Sequence, residues 1–297
     1  GGTFKMVKKW PTSGTVTFDN PTTADNLPQP IVADLNGDGV PELIVYNKIY
    51  NAVTGAYLGQ TEPIASANVG RVPLRVGNRA TNFMTTADFD GDGLPEIVAG
   101  GKIYKVAFAA DKKSVTCTKL YENSAIGDGF TAVADIDMDG KLDVIVTNVP
   151  TAGQTYLHVW SPIDNKMIDS FLVYTNASYP AQSYPFVGDI DGVIDPLTGE
   201  KHPEICLTIV SKVVAYKYNS STKKMAAKWT LTTTDASGGT GITLFDFNND
   251  GINELVYRDQ TVLRILDGRL DGVQPTLADP GATFNCASGT AFEYPVI

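Results

Sequence analysis

The chain has 297 residues, of which 43% are hydrophobic and 19% charged, and its formal net charge is −10. That is the composition of a folded chain long enough to bury a sizeable core, and the acidity argues against nucleic acid as a partner. No apolar run reaches the roughly 18 residues of a membrane span, and Cys117, Cys206 and Cys286 are too few and too scattered for a disulfide framework or a zinc site.

The chain opens Gly1-Gly2-Thr3 without a methionine or a signal peptide, so a mature or excised piece of a longer protein is expected. Lys5–Trp10 resembles Lys224–Trp229 and is expected to be the fourth strand of an incomplete unit. The first of five related acidic loops follows at Asp34-Leu35-Asn36-Gly37-Asp38-Gly39-Val40-Pro41-Glu42. After it come the apolar run Leu43–Tyr46, the segment Lys48–Val53, a turn at Thr54-Gly55, and Ala56–Gly59. The segment Thr61–Phe83 is the longest link between units and carries Arg71, Arg75 and Arg79. Three arginines in one loop of an acidic protein either recognise carboxylates, uronic acids included, or brace the loop against neighbouring acids, and bracing is the preferred reading.

The loop returns at Asp88-Phe89-Asp90-Gly91-Asp92-Gly93-Leu94-Pro95-Glu96 and at Asp135-Ile136-Asp137-Met138-Asp139-Gly140-Lys141-Leu142-Asp143. The third unit continues with Thr155–Trp160, a turn at Asp164-Asn165, and Met167–Tyr174. Tyr179 and Tyr184 lie in the next link, where they either stack on a sugar or pack. A distorted fourth copy starts at Asp189-Ile190-Asp191 and reaches its final acid, Glu204, only 15 residues after the first Asp; the other copies need 8. Its insert, Val193–Pro203, contains Asp195, Glu200 and His202. The regular form returns at Asp246-Phe247-Asn248-Asn249-Asp250-Gly251-Ile252-Asn253-Glu254, and the chain ends on Tyr294–Ile297, which resembles Gln29–Val32.

First-Asp spacings of 54, 47, 54 and 57 residues, with about four short strands per interval and no long amphipathic helix, predict an all-β β-propeller of four-stranded blades. A solenoid is set behind it, because its repeats are usually shorter. The phase predicts a single partial propeller domain over 1–297, beginning on a fourth strand and ending on a first. Five full repeats plus a split blade would then be part of a seven- or eight-bladed ring, with further blades or domains of the parent chain as neighbours. Residues 3–10 are expected at the rim and 291–297 near the axis, because the residue before each first Asp is small: Ala33, Ala87, Ala134 and Gly188, with Phe245 the exception.

Oxygen-bearing side chains at positions 1, 3 and 5, with Gly at 6, are how a short loop wraps a hard cation. The final acid at position 9 rather than 12, and flanking strands rather than helices, separate the loop from an EF-hand. The expected ligands are Asp34, Asn36, Asp38 and Glu42; Asp88, Asp90, Asp92 and Glu96; Asp135, Asp137, Asp139 and Asp143; and Asp246, Asn248, Asp250 and Glu254. The position-7 carbonyls of Val40, Leu94, Lys141 and Ile252 complete each shell. All-oxygen sites favour Ca2+ over zinc. For the fourth loop two readings stand: a metal held by Asp189, Asp191 and Glu204 with Asp195 in the third role, or an empty loop closed by salt bridges.

The pattern apolar-Ala-Asp-Phe-Asp-Gly-Asp-Gly-x-Pro-Glu-Ile-Val at the second loop resembles the FG-GAP (VCBS-like) repeat of integrin α-subunit propellers and bacterial surface proteins. The resemblance covers about residues 25–297. It implies a calcium-bearing propeller of extracellular or cell-surface proteins, with the calcium loops joining strands one and two and the ligand face on the opposite side. The expected function is a binding or adhesion module for protein or carbohydrate. A propeller-type uronic-acid or rhamnogalacturonan lyase and a purely architectural domain stand as alternatives. Catalysis is the less favoured reading: no nucleophile elbow, P-loop or zinc motif is present, His158 reads as a packed or surface strand residue, and His202, beside acids in the distorted loop, reads as a surface residue or one that supports the loop's acids from behind.

Overall fold

Short runs of β-branched and aromatic residues, each closed by a turn, give one antiparallel sheet per repeat in the computed structural model. It describes residues 30–45, 47–62, 71–73, 80–82, 84–151, 153–175, 184–236, 240–269, 276–277 and 283–286. Sheet I contains β1 (Ile31–Ala33), β2 (Glu42–Val45), β3 (Lys48–Asn51) and β4 (Tyr57–Gln60). A small hairpin, β5 (Arg71–Pro73) and β6 (Ala80–Asn82), follows. Sheet II contains β7 (Thr85–Ala87), β8 (Glu96–Ala99), β9 (Lys102–Phe108) and β10 (Val115–Glu122). Sheet III contains β11 (Phe130–Ala134), β12 (Asp143–Thr151), β13 (Gln154–Ser161) and β14 (Lys166–Thr175). Sheet IV contains β15 (Phe186–Gly188), β16 (Glu204–Ile209), β17 (Lys212–Asn219) and β18 (Lys224–Thr232). Sheet V contains β19 (Ile242–Phe245), β20 (Glu254–Asp259) and β21 (Val262–Asp267); β22 (Thr276–Leu277) and β23 (Thr283–Asn285) pair with opposite halves of β21. In sheets I to IV neighbours in sequence are neighbours in the sheet, as are β19 to β22 in sheet V, and there is no helix among the described residues.

Burial explains how the sheets stack. The second strands Glu96–Ala99, Glu204–Ile209 and Glu254–Asp259 are buried at every residue, so both of their faces are covered. The fourth strands alternate with exposed positions, as an outer strand must. Ile44, Ile49 and Leu58 of sheet I pack with Ile97, Tyr104 and Val106 of sheet II. Val98 and Ile103 of sheet II pack with Val144, Val146 and Trp160 of sheet III. Ile145, Leu157 and Val159 meet Leu207, Val214 and Tyr216, and Cys206, Ala215 and Trp229 meet Ile242, Leu255 and Tyr257. Each sheet thus covers the next in chain order, and each buried Ile or Leu contributes about 1.5–3 kcal/mol relative to exposure. Among the described residues no core cluster joins sheet V back to sheet I.

Two further features belong to this geometry. The first strands β7, β11, β15 and β19 touch one another in series, and Gly188 is so crowded that a Cβ there would lie 2.9 Å from Leu244 Cδ1. In sheets I to IV a bulge interrupts the pairing of the third and fourth strands, at Ile49/Tyr50, Lys119/Tyr121, Val159/Trp160 and Ala215/Tyr216. Bulges there increase the twist of the outer strands. The chain ends, 3–10 and 291–297, lie outside the described residues.

Candidate metal centres

Each acidic loop joins the first and second strands of its sheet, and one hydrogen-bond frame recurs in four of them. The first Asp accepts at Oδ2 from the sixth-position glycine amide: Gly39 to Asp34 (2.7 Å), Gly93 to Asp88, Gly140 to Asp135 and Gly251 to Asp246 (2.8 Å each). The fifth-position Oδ1 accepts from the amides of Val40, Leu94, Lys141 and Ile252, at 2.8, 2.9, 2.9 and 3.0 Å from Asp38, Asp92, Asp139 and Asp250. The final acid, at position nine in four loops and beyond the insert in the fourth, accepts from the second-position amide in all five: Leu35 to Glu42, Phe89 to Glu96, Ile136 to Asp143, Ile190 to Glu204 and Phe247 to Glu254. Gly39, Gly93, Gly140 and Gly251 have φ of 81°, 86°, 85° and 82°, a backbone region that side chains disfavour. The glycine is therefore required by conformation, since a Cβ there would meet nothing within 4 Å.

This frame engages both oxygens of the first Asp and one oxygen each of the fifth-position and final acids on backbone amides, and leaves the other oxygens of the loop gathered together. Oxygens of Asp88, Asp90 and Glu96 lie within 4.8 Å of one another, as do those of Asp135, Asp137 and Asp143 and those of Asp189, Asp191 and Glu204, and each group can hold a metal ion. In the first and fifth loops Asn36 and Asn248 replace the third-position acid. There Asp38 pairs with Lys112 at 2.7 Å, Asp250 pairs with Arg269, and Asn248 Nδ2 donates to Glu254 at 3.2 Å.

The third loop is electrostatically the most demanding. Asp143 is fully buried, and its Oδ1, like Asp137 Oδ1, has no hydrogen-bond donor. Burial, reinforced by the charges of Asp137, Asp135 and Asp139, pushes the Asp143 carboxyl up to about 8. Burial raises Asp137 as well. Ser161, also buried, lies across the strand pair from Asp143, one step beyond the pair Val144↔Trp160, and its Oγ is likewise unpaired. Three unsatisfied oxygens at one buried place cost several kcal/mol unless a cation or water answers them. An ion there would hold the carboxylates ionised, reversing the effect of burial.

The fourth loop is answered from within. Lys217 Nζ lies 2.9 and 2.7 Å from the two oxygens of Asp191 and forms an ion pair with Glu204 Oε1 at 2.9 Å. Lys228 Nζ donates to Asp191 Oδ2 at 2.6 Å, and Lys201 stands 3.5 Å from Asp189. The Lys217 and Lys228 hydrogen bonds hold the Asp191 carboxyl below its usual range in spite of its burial. Asp195 is not a member of this cluster. It accepts from the Leu197 and Thr198 amides and from Ser220 Oγ, and so closes the hairpin of the insert. His202, fully buried, donates from Nδ1 to Ile136 O of the third loop at 3.0 Å, while Nε2 meets Thr198 Oγ1 at 2.9 Å. The insert thereby clamps the neighbouring acidic loop.

The remaining sequence-selected residues are placed as follows. Arg71 lies on β5, and its side chain, with Arg75, Arg79 and Tyr179, falls outside the described residues. Tyr184 packs edge-on against Phe130 and beside Phe186, which favours the packing reading of that residue. His158 is buried between Ser170 Oγ (2.9 Å at Nδ1) and Asn148 Oδ1 (3.0 Å at Nε2), and burial pushes it down to about 4. Lys105, Ser161, Lys217 and Lys228 had no signal in the loop motif; only the register of the third strand against the final acid reveals the first three.

Fold and site together define an all-β protein of repeated antiparallel sheets whose first two strands are joined by an acidic loop able to hold a cation. No family model and no curated protein matches the chain. Among solved structures it is similar to the Vibrio cholerae biofilm matrix protein Bap1, at 15% identity and a TM-score of 0.45, covering 90% of this chain and 71% of that one. It is also similar to the rhamnogalacturonan lyase YesW, at 16% identity and a TM-score of 0.41, over 82% of this chain and 52% of that one. A third is a Photorhabdus luminescens Tc holotoxin pore, at 14% identity and a TM-score of 0.38, over 80% of this chain and 11% of that one.

Proposed function

We propose that the chain is a calcium-fastened β-propeller of the FG-GAP/VCBS kind, acting outside the cell as a binding or adhesion module for protein or carbohydrate. The observation that carries the calcium reading is the third loop: a fully buried Asp143 with an unanswered oxygen beside Asp135 and Asp137. A hard divalent ion is the group that satisfies such an all-oxygen set. The propeller reading is supported by the serial contact of first strands and by the second-position side chains. Leu35, Phe89, Ile136 and Ile190 each fill the interface between their own sheet and the next. Phe247 holds the same position in sheet V and is 47% exposed, stacked edge-on with Phe245. A further blade of the same kind would cover that pair.

The end of the sheets opposite the acidic loops is braced by buried polar groups, which suits a rigid recognition platform. Asp259 accepts from the amides of Thr234 and Asp235 and from Thr234 Oγ1. Thr208 Oγ1 donates to Thr240 O, and Thr240 Oγ1 to Asp235 Oδ2. The test is a glycan and matrix-protein array run on the calcium-loaded chain, with uronic-acid lyase assays in parallel. Calcium-dependent retention without bond cleavage is expected; turnover of a uronate polymer would overturn the binding reading in favour of an enzyme.

A further inference from the structure

One position differs among the five loops in a way that bears on their cations. The third strand of each sheet places one residue opposite the final acid. In sheet I it is Asn51, paired with Glu42. One step beyond the pairs Ile97↔Tyr104, Val144↔Trp160, Ile205↔Tyr216 and Leu255↔Leu266, it is Lys105, Ser161, Lys217 and Asp267. Residues directly opposite in an antiparallel pair have Cβ atoms about 4.5–5.5 Å apart on one face, which brings Lys105 and Lys217 onto the acids of their loops, whereas Asn51 Oδ1 accepts from the amides of Val53 and Thr54 and Asp267 from that of Arg269. The sequence motif does not contain this position.

The two lysines behave differently. Lys217 is 18% exposed, contacts both Asp191 and Glu204, and is joined on Asp191 by Lys228, whose side chain is only 1% exposed. With Lys201 near Asp189, three ammonium groups face the three carboxylates of Asp189, Asp191 and Glu204, so the charges match one for one. Lys105 meets Asp90, Asp92 (2.7 Å) and, at 3.8 Å, Glu96, but its side chain is 38% exposed and no second lysine among the described residues joins it. It is free to turn into solvent when an ion enters. Ser161 brings no charge and leaves the third loop's oxygens unpaired.

We propose that the residue opposite the final acid selects the cation of each loop: Lys217, seconded by Lys228, is the permanent internal cation of the fourth loop, which takes no metal, whereas Lys105 is a displaceable competitor that weakens the second loop relative to the third. The inference rests on the calcium reading of the regular loops.

The experiment is calcium stoichiometry by equilibrium dialysis with hydrogen exchange before and after EDTA, on the full chain and on Lys105→Ser and Ser161→Lys. Four ions are expected in the unmodified chain, with EDTA speeding exchange at Gly39, Gly93, Gly140 and Gly251 and leaving Ile190 and Gly192 unchanged. Lys105→Ser should tighten one site by about tenfold, as removal of a positive charge a few ångströms from a divalent ion implies. Ser161→Lys should abolish one site, and Lys105, already solvent-exposed, provides the variant least able to disturb folding. Five bound ions, EDTA-sensitive exchange at Ile190, or an unchanged affinity in Lys105→Ser would overturn the proposal. Zero ions with no exchange response anywhere would instead refute calcium binding itself, and the proposal with it.

Discussion

The third and fourth acidic loops are neighbours in the fold and opposites in their electrostatics. Both present three acids within 4.8 Å, and both hold the final acid on a second-position amide. In the third, Asp143 is buried without an answering charge; in the fourth, Asp191 is buried between two ammonium groups. The same backbone scaffold therefore supports two solutions to carboxylate crowding, an external ion or internal lysines. The loops are also linked, because His202 from the fourth loop's insert donates to Ile136 O in the third.

The contrast sets the scale of the expected effects. Calcium removal should be the largest. Each occupied loop contributes about 4 kcal/mol at a thousandfold excess of calcium over its Kd, so EDTA should lower the melting temperature steeply while leaving exchange in the fourth loop unchanged. Equal loosening of both loops would break the comparison. Asp191→Ala reverses the target. It removes the ion pairs that Lys228 and Lys217 make with Asp191, and loss of one partner of a buried ion pair costs about 3–5 kcal/mol. Urea unfolding should show that loss with or without calcium.

Acid provides a third separation. His158 in sheet III is neutral when folded, because burial pushes its pKa down to about 4 from the ordinary imidazole value of about 6.5. Below pH 6.5 the unfolded chain takes up a proton that the fold refuses, so stability falls as the pH drops from about 6.5 to about 4. The full loss is about 3 kcal/mol, at 1.36 kcal/mol per unit. His158→Gln should flatten this limb in denaturation curves measured across that range; an unchanged limb would assign it elsewhere. The smallest effect concerns the sixth position. Gly140→Ala forces a side chain onto a φ of 85° and should cost about 1 kcal/mol, whereas Ile194→Ala at the corresponding, exposed position of the fourth loop should stay within about 0.5 kcal/mol. Chemical denaturation of the pair distinguishes them.

What was readable in the amino-acid sequence follows from how local each constraint is. The Asp-x-Asp-x-Asp-Gly spacing is visible because its hydrogen bonds close within nine residues, and the glycine because φ forbids a substitute. Strand positions were readable to within a few residues: Thr155–Trp160 lies within Gln154–Ser161, and Met167–Tyr174 within Lys166–Thr175. The lysines of the fourth loop were not readable, since they arrive from strands 26 and 37 residues away, and a period of two does not say which acid a strand residue will face. Asp195 was assigned a ligand's role by its charge, but the insert's hairpin takes its oxygens for the Leu197 and Thr198 amides and Ser220.

The most direct measurement is anomalous scattering from crystals of the calcium-loaded chain, collected where calcium contributes. The account expects one peak within the carboxylates of Asp135, Asp137 and Asp143, peaks in the first, second and fifth loops, and none between Asp191 and Glu204, where Lys217 Nζ should stand. A peak between Asp191 and Glu204, or an empty third loop, would contradict it.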